Sequence, residues 1–207
     1  MAGRRTFRLI SAISLCLGMF HAATARQGST VSDSLHSFFT TKLELLETES
    51  LPPDSSMSVM LDAGWELFFA GDYIRSYQWF GNGLEFIRKT QALSSKENDF
   101  LYGSGVLAYH LEKYESARQY YLASLAIAES RRRKMQLYNE LGGVYVAEND
   151  LEGAVSCFKK AINLYNGDPS LDRYQIASIG NLGNTYEMLG ILDSAILYTR
   201  KAYDYFR

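Results

Sequence analysis

The sequence predicts an all-α protein: four helical hairpins in a row, with one more helix ahead of them. Three observations lead there. Only Pro52, Pro53 and Pro169 interrupt the 207 residues, which leaves long stretches free to be helical. Apolar residues recur at i, i+3, i+4 and i+7, the spacing of an amphipathic helix. A glycine also recurs at Gly64, Gly105, Gly142 and Gly183, in steps of 41, 37 and 41 residues, and its surroundings recur with it.

The first 25 residues stand apart. Arg4, Arg5 and Arg8 precede an apolar stretch from Leu9 to Phe20, and Ala23-Thr24-Ala25 closes it with a small-x-small site. That order of parts predicts a secretory signal cleaved before Arg26. The apolar stretch is short of the roughly 20 residues that span a bilayer, so no integral membrane segment is expected after cleavage. Leu15 stands where a lipidation site ahead of Cys16 would want Gly or Ala, and Arg8 spoils a twin-arginine motif. General secretion follows, with the mature chain expected in the periplasm. Residues 26–30 are expected to be disordered. Val31 to Glu47 is amphipathic and, ahead of Leu51-Pro52-Pro53, reads as a capping helix within the segment 26–56.

With 47% apolar and 21% charged residues, the chain is a folding sequence. Its formal charge of −2 becomes −5 once the signal, with three arginines and no acid, is removed. Nucleic acid is therefore not expected as a partner, because phosphate neutralisation needs clustered Lys and Arg. One cysteine remains in the mature chain, so no internal disulfide can form. Cys157 lies at helical spacing from Ala154, Phe158 and Ala161 and reads as a small buried hydrophobe; a reactive or intermolecular thiol is the alternative.

Each recurring glycine heads a set of columns. Twelve residues on come Ser76, Ala117, Ala154 and Ala195; four further, Phe80, Tyr121, Phe158 and Thr199; three beyond that, Gly83, Ser124, Ala161 and Ala202. Between the two halves of each unit stand Gly71-Asp72, Glu112-Lys113, Asn149-Asp150 and Gly190-Ile191, turn signals ahead of a second helix that the Asp or Lys can cap or start. Small residues are expected where the helices cross, with the aromatics filling the gap beside. Helices are expected at 57–70 and 73–90, 97–111 and 114–132, 135–148 and 151–165, and 173–189 and 192–206. One hairpin cannot bury its own apolar face, so units must stack.

Leu141-Gly142, Tyr145, Ala154, Phe158 and Ala161 together resemble the tetratricopeptide repeat family, and Leu182-Gly183, Tyr186, Ala195 and Ala202 resemble it with Thr199 in the aromatic slot. The first two units diverge, with Leu67 and Ala108 in the tyrosine slot. The resemblance covers 57–207, in units of about 57–90, 98–131, 135–168 and 176–207. The long steps are similar to kinesin-light-chain-type and bacterial sensor-regulator arrays. It implies a right-handed α-solenoid whose first helices line a concave wall.

Catalytic motifs are missing: no G-x-S-x-G, H-E-x-x-H, Walker A or C-x-x-C occurs. No catalytic residue, cofactor or metal site is expected. His36 and His110 are far apart, Asn149–Gly153 is too poor in carboxylates for a calcium loop, and the glycines at 81–83 and 103–105 read as helix-packing positions. Arg131-Arg132-Arg133-Lys134 reads as a solvated face at the end of the second unit's outer helix, complementing the macrodipole; an acidic partner or lipid headgroup is the sharper reading.

By the resemblance, the concave wall comprises Leu61, Trp65, Phe68 and Phe69; Tyr102, Val106, Tyr109 and His110; Gln136, Asn139, Gly143 and Val146; and Ala177, Asn181, Asn184 and Glu187. No Lys or Arg is among them, which disfavours capture of a C-terminal carboxylate by the basic pair some relatives use. The candidate peptide- or protein-binding residues are Trp65, Phe68, Phe69, Tyr102, Tyr109, Asn139, Asn181 and Asn184. Aromatics offer anchoring area. Asn offers a donor and an acceptor to an extended backbone. The alternative for Trp65, Phe68 and Phe69 is packing under the capping helix. Ile196, Ala202, Tyr203 and Phe206 lack an obvious cover, which marks a surface for self-association or a partner. The function expected is an exported, non-catalytic scaffold; the alternative is the sensor half of a bacterial signal-transduction regulator.

Overall fold

The computed structural model describes residues 28–48, 53–90 and 96–205, and the segment 1–25, expected to be a secretory signal, lies outside them. Nine α-helices and one short 3-10 turn account for nearly all of these residues, and no strand occurs among them. They are α1 (Gly28–Thr48), α2 (Pro53–Phe69), α3 (Tyr73–Thr90), α4 (Glu97–His110), α5 (Tyr114–Ile127), α6 (Arg131–Ala147), α7 (Leu151–Asn163), α8 (Asp172–Met188) and α9 (Leu192–Asp204). The 3-10 turn, Pro169–Leu171, opens α8 with Asp168 as its cap. The chain divides into two compact units, 1–83 and 84–207, with the boundary inside α3.

In the first unit α1 packs on α2. It also holds the start of α3: Ser32 Oγ donates to Asp72 Oδ2 at 2.5 Å, Asp33 pairs with Arg75 at 2.6 Å, and Trp79 Nε1 donates to His36 Nδ1 at 3.2 Å. The capping helix is thus anchored on Asp72, Arg75 and Trp79. It already begins at Gly28, inside the stretch expected to be disordered. Within it, Ser34 Oγ donates to the Thr30 carbonyl at 2.8 Å.

Gly71, Glu112, Asn149 and Gly190, one per hairpin, all take positive φ, between 58° and 81°. After each, the next N–H reaches back five residues: Asp72 to Leu67, Lys113 to Ala108, Asp150 to Tyr145 and Ile191 to Tyr186, at 2.8–2.9 Å. This is the Schellman closure, which satisfies carbonyls that a helix end leaves orphaned. The second helices start differently. Asp72 and Asp150 cap them by accepting from the Arg75 and Gly153 N–H groups; Lys113 and Ile191 make no side-chain cap.

The columns explain how the two helices of a hairpin meet. A Cβ placed on Gly64, Gly105 or Gly142 would come within 2.7, 2.5 or 2.4 Å of the ring of Phe80, Tyr121 or Phe158. The glycine therefore exists to seat the aromatic, and those three rings are at most 1% exposed. At Gly183 the neighbour is the Thr199 hydroxyl, at 2.9 Å. Ala117, Ala154, Ala195, Ala161 and Ala202 are buried at the crossings, and Ser76 Oγ donates to the Gly64 carbonyl at 2.6 Å. Cys157 is buried, and burial pushes its thiol up.

One expectation is corrected. Helix α5 stops at Ile127, where Ala128 turns extended (ψ 122°), and Ser130 N-caps α6 by accepting from the Arg133 N–H at 3.1 Å. Arg131–Lys134 therefore opens a helix instead of ending one, and its charge opposes the macrodipole. Two of its side chains are not merely solvated either. Arg133 pairs with Asp99 of α4, and Arg132 Nε donates to the Tyr174 hydroxyl of α8 at 2.8 Å.

In the second unit each helix from α4 onward packs on its successor, and α6 also reaches α8.

Candidate functional site

In the first unit Trp65, Phe68 and Phe69 form one aromatic cluster on α2. The Trp65 ring lies 5.8 Å from Phe68, 6.3 Å from Phe69 and 5.1 Å from Phe80, and Phe68 lies 5.4 Å from Tyr73. Phe69 is the outermost, 57% exposed; Trp65 and Phe68 are half-buried.

The second unit carries the remaining candidates on α4, α6 and α8, its first helices. Spacing places Tyr102, Val106 and Tyr109 on one face of α4, and Gln136, Asn139, Glu140 and Gly143 on one face of α6. A ladder joins the two helices. Arg133 pairs with Asp99 and donates to Gln136 Oε1 at 3.2 Å; Gln136 Nε2 donates to the Tyr102 hydroxyl at 2.6 Å; that hydroxyl in turn donates to Glu140 Oε1 at 3.4 Å. The Arg133 guanidinium also lies over the Tyr102 ring, 4.6 Å from its centroid. Burial, helped by the charge of Glu140, pushes the Tyr102 phenol far above its ordinary range. Burial likewise pushes the Glu140 carboxyl up to about 7, against a small pull from the Tyr102 hydroxyl.

Between α6 and α8 the chemistry changes to amides. Asn181 Nδ2 donates to Asn139 Oδ1 at 3.0 Å, and the buried Ser178 hydroxyl donates to the same oxygen at 3.3 Å. Asn139 keeps its amide NH2 and Asn181 its carbonyl, a donor and an acceptor with no other hydrogen bond among the described residues. Asn184 follows Asn181 by one turn and is partly exposed. Tyr109 is 36% exposed, its ring 5.6 Å from Tyr114. The structure thus brings Tyr102 and Tyr109 together on α4, and Asn139 and Asn181 together across α6 and α8.

Glu140 and the Asp99–Arg133 pair escaped the sequence reading. Glu140 sits beside Asn139 on the inward stripe, and a carboxylate on that stripe was the signal available. Among the described residues no three His, Cys, Asp or Glu side chains converge on a metal-sized site, and no helix is long and apolar enough to cross a membrane.

A profile of the Tetratricopeptide repeat family matches residues 98–167, from α4 through α7. Residues 98–167 thus match tetratricopeptide repeats. Repeats of this kind are protein-interaction scaffolds, generally without catalysis. Solved structures show the same α-solenoid fold. BtubC (BKLC) from P. vanneervenii superposes with a TM-score of 0.73 at 16% identity, over 94% of this chain and 80% of that one. Kinesin light chain repeats from Podosopora anserina give 0.70 at 12% identity, over 94% of each chain. MamA from Desulfovibrio magneticus RS-1 gives 0.58 at 17%, over 82% of this chain and 94% of its own. No curated protein sequence matches the chain significantly.

Proposed function

We propose that this protein is an exported tetratricopeptide scaffold that holds an extended peptide or protein segment against α4, α6 and α8 without altering it chemically. The observation that carries this reading is the amide pair Asn139–Asn181, 3.0 Å apart, with Asn184 one turn beyond. The pair's mutual hydrogen bond fixes both side chains, and a fixed donor beside a fixed acceptor fits the alternating C=O and N–H groups of an extended backbone. Tyr109 adds an exposed ring as an anchor. In the first unit, Trp65, Phe68 and Phe69 are a separate candidate surface for an apolar side chain. Export rests on residues 1–25, whose basic, apolar and small-residue parts have the order of a secretory signal.

The test is to capture a partner from a periplasmic extract, map the bound segment, and titrate that peptide by calorimetry. Asn181→Ala and Asn184→Ala are each expected to weaken binding about fivefold, the worth of about one hydrogen bond. Unchanged affinity in both variants would remove the amides from the reading.

A second reading concerns α9, where Ile196 is 67% exposed, Leu192 61%, Tyr203 59% and Leu197 50%. Ala202, expected on that surface, is instead buried at the crossing, and Phe206 lies outside the described residues. So continuous an apolar strip supports self-association. A dimer in light scattering that Ile196→Glu converts to monomer is the expected result; a wild-type monomer at tens of micromolar counts against it.

A further inference from the structure

We infer that Arg132 and Arg173, gathered on the Tyr174 hydroxyl, form a receptor for an acidic side chain, aspartate or glutamate, of the bound segment. It rests on the segment-binding reading above and adds the charge that segment must carry.

The early end of α5, at Ile127, is what moves the arginines. Arg131–Lys134 opens α6, so Arg132 stands on the first helix of its hairpin, one turn before Gln136 and two before Asn139. There it meets α8. Arg132 Nε donates to the Tyr174 hydroxyl at 2.8 Å, and Arg173 Nη2 donates to the same oxygen. Two N–H groups on one oxygen lie at most about 6 Å apart. Both guanidiniums also lie near the Tyr174 ring, 5.7 Å and 4.6 Å from its centroid. Two like charges from two helices are thus held around a neutral phenol, each in a first turn, where the helix end is itself partly positive. Neither arginine is paired with a carboxylate among the described residues. The acids beside them are engaged elsewhere: Asp172 accepts from the Tyr165 hydroxyl, Asp168 accepts from the Ser170 N–H at 2.9 Å, and Asp99 pairs with Arg133. Both arginines are exposed and Tyr174 is half-buried, so a ligand can reach the pair.

The seam that holds the pair runs on to the amides. The Ser178 hydroxyl, 2.9 Å from the Tyr174 carbonyl and 3.3 Å from Asn139 Oδ1, links the two places, and Asn181 donates to that same Asn139 oxygen. From Arg132 to Asn139 the helix rises about 10 Å, a distance an extended segment covers in about three residues. One segment can therefore be gripped by its backbone at Asn139 and Asn181 and read for charge at Arg132 and Arg173. The chemistry selects a carboxylate. A guanidinium presents paired N–H donors in a plane that matches its two oxygens, and an ionised acid supplies the counter-charge that both arginines lack.

The probes are capped heptapeptides Gly-Ser-Gly-X-Gly-Ser-Gly with X as glutamate, glutamine or lysine, together with acetate and inorganic phosphate as free anions. Binding to the full chain is read by chemical-shift titration at low salt. The glutamate peptide is expected to bind about tenfold tighter than the glutamine one, the lysine peptide weakest, with the preference shrinking as salt is added. Arg132→Gln combined with Arg173→Gln is expected to abolish the preference. Arg200→Gln combined with Lys201→Gln, which removes the same charge from α9, is expected to leave it. Tyr174→Phe keeps both arginines but releases them, and is expected to cut the preference to about threefold. All three variants should keep the helical circular dichroism of the wild type. Equal binding of the glutamate and glutamine peptides overturns the proposal, as does a preference that survives loss of both arginines or that the α9 variant also removes. Full preference in Tyr174→Phe overturns it too, because the attraction is then diffuse. So does acetate or phosphate binding as tightly as the glutamate peptide, because the ligand is then a free anion. If the glutamate and glutamine peptides bind equally and Asn181→Ala weakens both, the acid receptor falls and the backbone grip stands. If the glutamate preference holds and Asn181→Ala changes nothing, the grip falls and the receptor stands. If no peptide binds, both fall.

Discussion

Gly142→Ala is expected to destabilise the protein by about 2 kcal/mol, whereas Gly143→Ala, one residue on, is expected to leave stability unchanged or raise it by up to about 1 kcal/mol. Both glycines lie inside α6, so helix propensity favours alanine equally at each, by about 1 kcal/mol. Packing separates them. The added methyl at 142 would lie 2.4 Å from Phe158 Cε1 and 2.6 Å from Cζ, while at 143 it meets nothing within 4 Å. Phe158 cannot step aside: it is 1% exposed and packed with Ala154 and Leu182. Overpacking of a closed core costs about 1–3 kcal/mol, and a clash this close with a ring belongs at or above the top of that range. Urea denaturation of the two variants reads the difference. Adding Phe158→Leu to Gly142→Ala should recover part of the loss by removing the ring that the methyl strikes. Equal midpoints for the two alanine variants would show that the glycine column has nothing to do with seating the aromatic.

Glu140→Gln is expected to stabilise the ligand-free protein by roughly 3 kcal/mol at pH 8 and by less than about 1 kcal/mol at pH 5. The folded carboxyl is pushed up to about 7 from an ordinary value near 4.5. A raised carboxyl binds its proton more tightly folded than unfolded. Its contribution to stability is therefore fully present below about 4.5 and is lost as pH climbs through about 7, each tenfold difference in proton affinity being worth about 1.4 kcal/mol. Glutamine has no proton to lose and keeps an oxygen for the Tyr102 hydroxyl. Denaturant midpoints of wild type and variant at the two pH values give the answer, and a difference that does not change with pH rules out a buried, charge-starved carboxyl.

The contrast between these two positions shows what is legible in the chain. The glycine, aromatic and small-residue columns are local: Gly142 and Phe158 are 16 residues apart within one hairpin, and helical spacing alone makes them face each other. The same holds for the turns, where Gly71, Glu112, Asn149 and Gly190 share a register even though two of them are not glycine. The end of α5 was not legible. Nothing between Ile127 and Ser130 is a glycine or proline, so the apolar period reads on into the arginines, and only the extended backbone at Ala128 and the Ser130 cap reveal the break.

The candidate site was half legible for a related reason. Asn139, Asn181, Tyr102 and Tyr109 follow from which face of a helix looks inward. That Asn139 and Asn181 touch while Tyr102 must stretch to reach Glu140 depends on the spacing between successive hairpins. No residue spacing within one hairpin encodes that distance. Glu140 was overlooked because a lone acid in a sequence has no visible counter-ion to miss.

From α4 onward, every helix of the second unit finds its partners in the next helix or the one after. A chain wired this way has low contact order, and its loops close cheaply during folding, so refolding should be fast for its length. It should also come apart like a zipper. Backbone amides of α9 can exchange with solvent through fraying of that one hairpin, while those of α6, held on both flanks, are released only when the stretches on either side have already opened.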